Sequence, residues 1–423
     1  MNREDLRAEY ALDVLILRAR KGCRRILMNK KLGCLAVVYW VIVLLGIAAY
    51  HPSNPASRIM WLAGLPLTVV FAGTLFAVFI VALGTPQGAT RVAHNLRRAG
   101  LINSAGEPPA LIDVVQREGE RINIMLWQRG ISMAQYQDMT DKIESALNCR
   151  LVQVVAGPER DTVWLHLAPG DTVIPARVDW SDTYLDQRDF ILALGVGLDG
   201  VYTVDLNIIP HLLIAGGTGS GKTVLIKTLI HQGLRKKADV YLIDLKGGLD
   251  YPAVWKQRDC SYCDDQQAAL ALLSQIVEEL QRRKALLAQQ SCPHVAAYNM
   301  THSDQLRRIM IVLDEIAEIT DTTGLDKPHK ELVYQTIGHL STIARMGRAY
   351  GIHLIVGTQR PDATILPGQI KNNCDIRICG RADHTLSMII LDNTDAADTI
   401  PKDSRGRFLT NDGTEFQGFW LPL

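Results

Sequence analysis

Two uncharged apolar stretches, residues 32–50 and 59–83, dominate the hydropathy pattern of the first hundred positions. Each is long enough to cross a hydrocarbon core of about 30 Å. The short segment between them carries Pro52 and Pro55, so the pattern predicts a transmembrane hairpin. Seven Lys/Arg and no acid fill residues 18–31 ahead of the first span. Arg91, Arg97 and Arg98 follow the second, whereas the hairpin loop carries only Arg58. By the positive-inside rule both termini lie in the cytoplasm, which places the protein in the cell membrane as a multi-pass chain. The basic flank also suits contact with anionic lipid. A cleaved signal peptide is disfavoured, because the basic region is long and a second span follows.

Beyond the hairpin the pattern changes to short apolar runs separated by amphipathic stretches. A linker rich in Gly, Pro and basic residues covers 84–110. Residues 111–180 read as a small α/β module, with a strand near 122–128 and a helix opening at the Ser132-Met-Ala-Gln135 capping box and running to about Leu147. Segments 151–156 and 162–167 pair across a loop containing Gly157-Pro158. Nothing in the module suggests chemistry. It reads as a spacer, assembly or adaptor-binding unit.

From 181 to 423 apolar strands alternate with helices: 239–244, 352–357 and 376–380 as strands, 264 to about 290 and 329–346 as helices. In the first of these helical stretches, 264–290, Leu270, Leu273, Ile276, Val277 and Leu280 recur at helical spacing. That order predicts a mostly parallel sheet covered on both faces, with ligands outside the strand C-termini. The partition is therefore a basic N-terminal segment (1–31), two transmembrane helices (32–83), a linker (84–110), the module (111–180) and a large α/β domain (181–423).

That domain carries the chemistry. His211-Leu-Leu-Ile-Ala-Gly-Gly-Thr-Gly-Ser-Gly-Lys-Thr223 is an apolar strand, a GxxxxGK[ST] loop and a helix start. Its glycines let successive N–H groups face a phosphate, and the helix N-terminus favours negative charge. Gly216, Gly217, Thr218, Gly219, Ser220, Gly221, Lys222 and Thr223 thus form a candidate ATP-binding loop. Lys222 would reach the β/γ-phosphates, and the Thr223 hydroxyl would hold Mg²⁺. Some ninety residues on, a strand delivers Asp314 and Glu315. Asp314 suits the metal, and Glu315 suits a base that orients water. Gln359 ends another strand, where it could sense the γ-phosphate.

Composition narrows the partners. A net charge of +1 means no global basic field, so nucleic acid would be gripped locally and without base readout. The eight cysteines are scattered, as in a reducing cytosol. Cys260, Cys263, Cys292 and His294 have the look of a zinc site, but with one CxxC and a CxH return they read as ordinary side chains.

The run from Ile209 to Thr223 closely resembles the Walker A region of FtsK/SpoIIIE DNA-pumping ATPases. So does Gly347-Arg-Ala-Tyr-Gly-Ile-His-Leu-Ile-Val-Gly-Thr-Gln-Arg-Pro361, and 370–381 and Gly406-Arg-Phe-Leu-Thr410 continue the likeness. The resemblance, over about 185–423, implies a RecA-like motor domain assembling as a hexameric ring around DNA, with each ATP site between two subunits. It also implies an arginine acting in trans, for which Arg345, Arg348, Arg377 and Arg381 are candidates. Loops 246–249 and 367–373, the latter with Lys371, are candidates for gripping DNA. Chromosome-segregating members carry more spans, a long linker and a C-terminal reader domain. Two spans, a short linker and an end just after the motor look instead like the TcpA-like coupling proteins of Gram-positive conjugative elements. Such proteins imply a relaxase–DNA complex and secretion-channel proteins as partners. A chromosome or sporulation translocase, a type VII-like protein-secretion ATPase and a membrane adaptor whose nucleotide site merely drives assembly are the alternatives.

Overall fold

The computed structural model describes residues 3–49, 54–116, 121–247, 250–359 and 366–422. Hairpin positions 50–53, Gly248 and Leu249 of the first candidate DNA loop, and Arg360 and Pro361 of the second family signature lie outside them. The chain divides into two compact units, Met1–Thr172 and Val173–Leu423.

The first unit opens with helix α1 (Arg3–Met28), followed after Asn29 by α2 (Lys30–Ala49) and then by α3 (Pro55–Gly84). The basic N-terminal segment is thus helical. Helices α2 and α3 are long and apolar enough to cross a membrane. They leave Leu44, Leu45, Leu67 and Phe71 exposed. Gly22 of α1 lies against the Ile80 carbonyl of α3, and Gly84 against the Arg18 carbonyl. Any Cβ at either position would overlap backbone, so these glycines permit the crossing.

Helix α4 (Ala89–Ala99) precedes strands β1 (Ala110–Gln116) and β2 (Ile122–Trp127). Helices α5 (Met133–Asp138) and α6 (Thr140–Leu147) and strands β3 (Cys149–Ala156) and β4 (Thr162–Pro169) complete the module. The Ser132 capping box forms as expected, but the helix after it breaks at Met139, whose backbone leaves the helical region. The four strands make an antiparallel sheet in the order β1-β2-β4-β3. Leu96, Leu126, Tyr136, Ile143 and Leu165 are its core. Helix α1 is fastened to this sheet: Lys21 pairs with Asp113 at 2.6 Å, and the Tyr10 and Trp127 rings lie 5.0 Å apart.

The second unit begins at Val173, ahead of the boundary expected at 181, because β5 (Val178–Asp179) joins its sheet. Then come β6 (Ile191–Gly197), β7 (Gly200–Asp205), β8 (His211–Ala215), α7 (Lys222–Arg235), β9 (Asp239–Ile243) and β10 (Cys260–Cys263). Helices α8 (Gln266–Gln289) and α9 (Val295–Thr301) lead to β11 (Ile309–Leu313), α10 (Ile316–Thr320), α11 (Lys327–Tyr350) and β12 (Ile352–Thr358). The chain closes with α12 (Gly368–Asn372), β13 (Ile376–Cys379), α13 (His384–Leu391), α14 (Asp395–Thr399), β14 (Arg407–Thr410) and β15 (Glu415–Trp420).

Its sheet runs β10-β9-β11-β12-β8-β13-β14-β15-β6-β7. From β10 to β13 every neighbour is parallel. From β14 onward the pairing is antiparallel. The parallel half is the α/β sheet expected from the alternating pattern, and its central strands β8, β11 and β12 are buried on both faces. One core cluster contains Ile276, Leu280 and Leu340 from the helices, and the other contains Leu225, Leu229 and Phe408. At their C-terminal edge, β8, β11 and β12 deliver the loops that carry Lys222, Glu315 and Gln359.

Two histidines lock the start of β8. His211 accepts from the Leu354 amide at 2.9 Å through Nδ1 and donates to the Ala344 carbonyl at 3.0 Å through Nε2. Burial pulls its pKa from 6.5 to about 4, only partly opposed by the Ala344 bond. Burial, and then the Arg308 charge, likewise pull His353 well down. Both rings are neutral when folded and take up protons when unfolded below about pH 6.5. Stability from them is therefore complete above pH 6.5 and is lost as pH falls toward 4. We expect the thermal midpoint of the full chain to drop across that window, with His211 contributing up to about 3 kcal/mol. In His211→Gln the drop should shrink, and an unchanged pH profile would remove His211 as its source.

Candidate active site

The loop after β8 is built by glycine. Gly219 and Gly221 adopt φ of 76° and 101°, where a side chain is strained. The curl is pinned from outside. The Gly217 amide donates to the Arg381 carbonyl at 2.8 Å, and the Gly406 amide donates to the Ser220 carbonyl at 2.8 Å. The Arg381 guanidinium reaches the Thr218 carbonyl at 2.6 Å and the Lys402 carbonyl at 2.8 Å. Arg381 therefore braces the loop of its own subunit.

Lys222 opens α7 and turns inward. Its ammonium contacts the Asp314 carbonyl and lies 3.1 Å from Asp314 Oδ1, with both side chains buried. Thr223 Oγ1 is 3.4 Å from the same carboxylate oxygen. One hydroxyl and one carboxylate thus converge, a pair of hard oxygen donors of the kind Mg²⁺ prefers. Ser220 Oγ is buried and has no hydrogen-bond partner, leaving a donor free at the loop. Gly357 must be glycine, because a Cβ there would overlap the Asp314 carbonyl and crowd the Lys222 ammonium.

Glu315 is also buried, yet its oxygens are well supplied with donors. Thr358 Oγ1 donates at 3.0 Å, and the Gln359 amide donates at 3.0 Å and 3.2 Å to the two oxygens. The Gln359 side chain points to the loop instead, with its carbonyl accepting from Thr218 Oγ1 at 3.3 Å. The structure thus gathers Lys222, Thr223, Asp314, Glu315 and Gln359 around one loop.

The other candidates separate. Arg345 and Arg348 are exposed and bond to the Ser341 and Asn207 carbonyls. Arg377 and Lys371 share Asp392, at 2.6 Å and 2.7 Å. His294 caps α9 through the Ala297 amide, a structural use. Cys260 and Cys263 end the short strand β10 and are buried.

A cavity of about 580 Å³ lies over the loop. Its other walls were not legible in the sequence: Arg177, Asp250, Arg405 and Trp420 line it, with Arg177 stacked over Trp420 at 5.0 Å. Asp250 is followed by the buried Tyr251. Burial first, and the Asp314 carboxylate second, raise the Tyr251 hydroxyl well above its ordinary pKa. The signal available beforehand was the Gly406-Arg-Phe-Leu-Thr410 run, which carried family likeness without a role.

The sequence model of the FtsK/SpoIIIE family matches residues 176–363. A solved structure, the monomer form of the pCW3 conjugation coupling protein TcpA with ATPgS, is similar at 31% identity and a TM-score of 0.57. That match covers 79% of this chain and 95% of the TcpA chain. The DNA translocase FtsK of Caldanaerobacter subterraneus subsp. tengcongensis is 28% identical over 298 residues, 64% of this chain and 39% of the relative. That of Campylobacter jejuni subsp. jejuni is 29% identical over 282 residues, 62% of this chain and 28% of the relative. The chain therefore spans well under half the length of these curated relatives. With its P-loop, paired strand-end carboxylates and α/β sheet, the chain belongs to the FtsK/SpoIIIE family.

Proposed function

We propose that this chain is a membrane-anchored, ATP-driven DNA translocase that serves as a coupling protein, delivering DNA to a conjugative type IV secretion channel. The observation that carries this reading is the extent of the TcpA likeness. The second unit makes up about 59% of the chain, so a match over 79% reaches into the first unit. The name shared by the curated relatives, DNA translocase FtsK, supports DNA translocation, and an FtsK/SpoIIIE-type chromosome-segregation translocase is the second reading.

In the proposed cycle ATP lies in the 580 Å³ cavity with its phosphates on the loop amides and on Lys222. The flat Trp420–Arg177 pair suits the base. Thr223 and Asp314 would hold Mg²⁺, whose charge would offset that of the phosphates. Glu315 orients the attacking water, and Gln359, bonded to Thr218, reports the γ-phosphate to the loop. Subunits close as a homo-hexamer, so that an arginine from a neighbour completes each site. Helices α2 and α3 span the cytoplasmic membrane, with both termini and the ATPase inside. DNA is held by its phosphates without sequence reading, and a relaxase–DNA complex and channel proteins are the partners.

Two variants of the full chain in nanodiscs test this. Glu315→Gln should bind ATP normally and lose DNA-stimulated hydrolysis by about 100-fold or more. Unchanged turnover would take Glu315 out of its role, and hydrolysis indifferent to both single- and double-stranded DNA would sink the translocase. Arg381→Gln should raise the KM for ATP about 3- to 10-fold with little change in kcat, because it loses the brace on Thr218. A fall in kcat at constant KM would instead make Arg381 the arginine that acts in trans.

A further inference from the structure

We infer that Lys246 is a gate on the catalytic carboxylate: it holds Glu315 until a DNA phosphate draws it away, which ties hydrolysis to occupied DNA. This rests on the DNA-translocase reading and adds the step by which DNA is sensed.

The geometry begins with strand register. Ile243 ends β9 opposite Leu313 of β11, so the residues that follow, Asp244 and Asp314, leave the sheet side by side. Asp244 Oδ1 accepts from the Lys246 amide at 3.0 Å, which folds the turn back over the strand end. That turn carries the Lys246 ammonium to 3.7 Å from Glu315 Oε2 and 4.0 Å from Glu318 Oε1.

The partners of Glu315 are unequal. The Thr358 hydroxyl and Gln359 amide are fixed to β12 and its end and cannot leave without disturbing the sheet. Lys246 is the exchangeable one: its side chain is 46% exposed, and its distance is that of a loose ion pair, outside hydrogen-bond range. Gly247, beside it, has φ of 89° and open space where a Cβ would stand, so the turn can lie close against a phosphodiester. The far side is anchored. Tyr251 is buried among Leu225 and Trp255 in the core, and Lys227 stands over its ring at 5.9 Å.

A DNA phosphate would compete with the Glu315 carboxylate for the Lys246 ammonium, and the loose, half-exposed ion pair is the contact that gives way. With Lys246 at the carboxylate, Oε2 faces a cation as well as the Gln359 amide, and a water must compete for it. With Lys246 on DNA, that oxygen is free to take a proton from water or to align it. Lys246 thus acts through Glu315 as a positioning residue and forms no bond to the nucleotide.

The test compares wild type, Lys246→Met and Lys246→Arg, full chain in nanodiscs, with no DNA, a single-stranded oligonucleotide or a duplex. Lys246→Met should raise DNA-free kcat about 3- to 5-fold at unchanged KM for ATP and flatten the stimulation by DNA. Lys246→Arg should restore both low basal turnover and stimulation. If wild type is stimulated by DNA while Lys246→Met keeps the same basal rate and the same ratio, the gate is wrong and the translocase stands. A Lys246→Met enzyme that melts normally but is inactive throughout also overturns the gate. If wild type ignores both DNAs, the translocase reading falls and the gate with it.

Discussion

The buried contact between Lys222 and Asp314 is the constraint around which the catalytic unit is arranged. An ammonium and a carboxylate, each almost wholly withdrawn from water, are stable only when paired, and removing one partner of such a pair costs about 3–5 kcal/mol. The pair joins the first residue of α7 to the end of β11. For that reason β12, which lies between β8 and β11 in the sheet, has to pass beneath the contact. Gly357 is the position where it does so, and only a residue without Cβ fits between the Asp314 carbonyl and the ammonium. Two residues later, just past the end of β12, Gln359 supplies the amide that holds Glu315. One ion pair thus fixes the relative height of three strand ends, and with it the spacing of Lys222, Asp314 and Glu315.

The parallel half of the sheet creates the site, but the antiparallel half closes it. Strands β14 and β15 fold back beside β13, which brings the Gly406 amide onto the Ser220 carbonyl and carries Trp420 to the cavity wall. Phe408 and Phe416, fully buried with centroids 5.6 Å apart, hold that extension against the core. A P-loop alone is a flexible, glycine-rich turn. Here its carbonyls are tied down by Arg381 and Gly406, so the amides are set toward a ligand before one arrives, which lowers the ordering cost of binding.

Much of this was legible in the chain and some of it could not be. Residues 211–223 announced strand, loop and helix because a run of buried aliphatics, a glycine loop and a helix start are all local signals. Asp314 and Glu315 were equally plain at the end of Arg307-Arg-Ile-Met-Ile-Val-Leu. The β6–β7 hairpin carries no clear strand signal, because Ile191–Gly197 is apolar without alternation and has two glycines. The join between β5 and β15 is silent in the sequence for another reason. A two-residue strand pairing with one some 240 positions away leaves no periodic trace, and so the unit starts at Val173 rather than 181. The cavity walls at Arg177 and Trp420 come from that same long-range pairing. The break at Met139 is tertiary as well, since the 132–147 stretch contains neither Gly nor Pro.

Helix α1 shows how a basic segment can be built into the packing of the unit that follows it. Several of its polar positions bond to the module: Lys21 to Asp113, Arg7 to Glu107 at 3.4 Å, and Asp13 to Arg129 of the module. Its Gly22 accepts the apolar helix α3 at backbone distance. One helix therefore touches an apolar hairpin on one side and a folded sheet on the other. The individual ion pairs are partly exposed and each contributes at most about 1 kcal/mol. They act beside the packing of Tyr10 on Trp127, where aromatic contact adds to burial. In a single helix with both glycine and charge, the module and the hairpin become one compact unit, so a force on the module would be borne by α1 and α3 together.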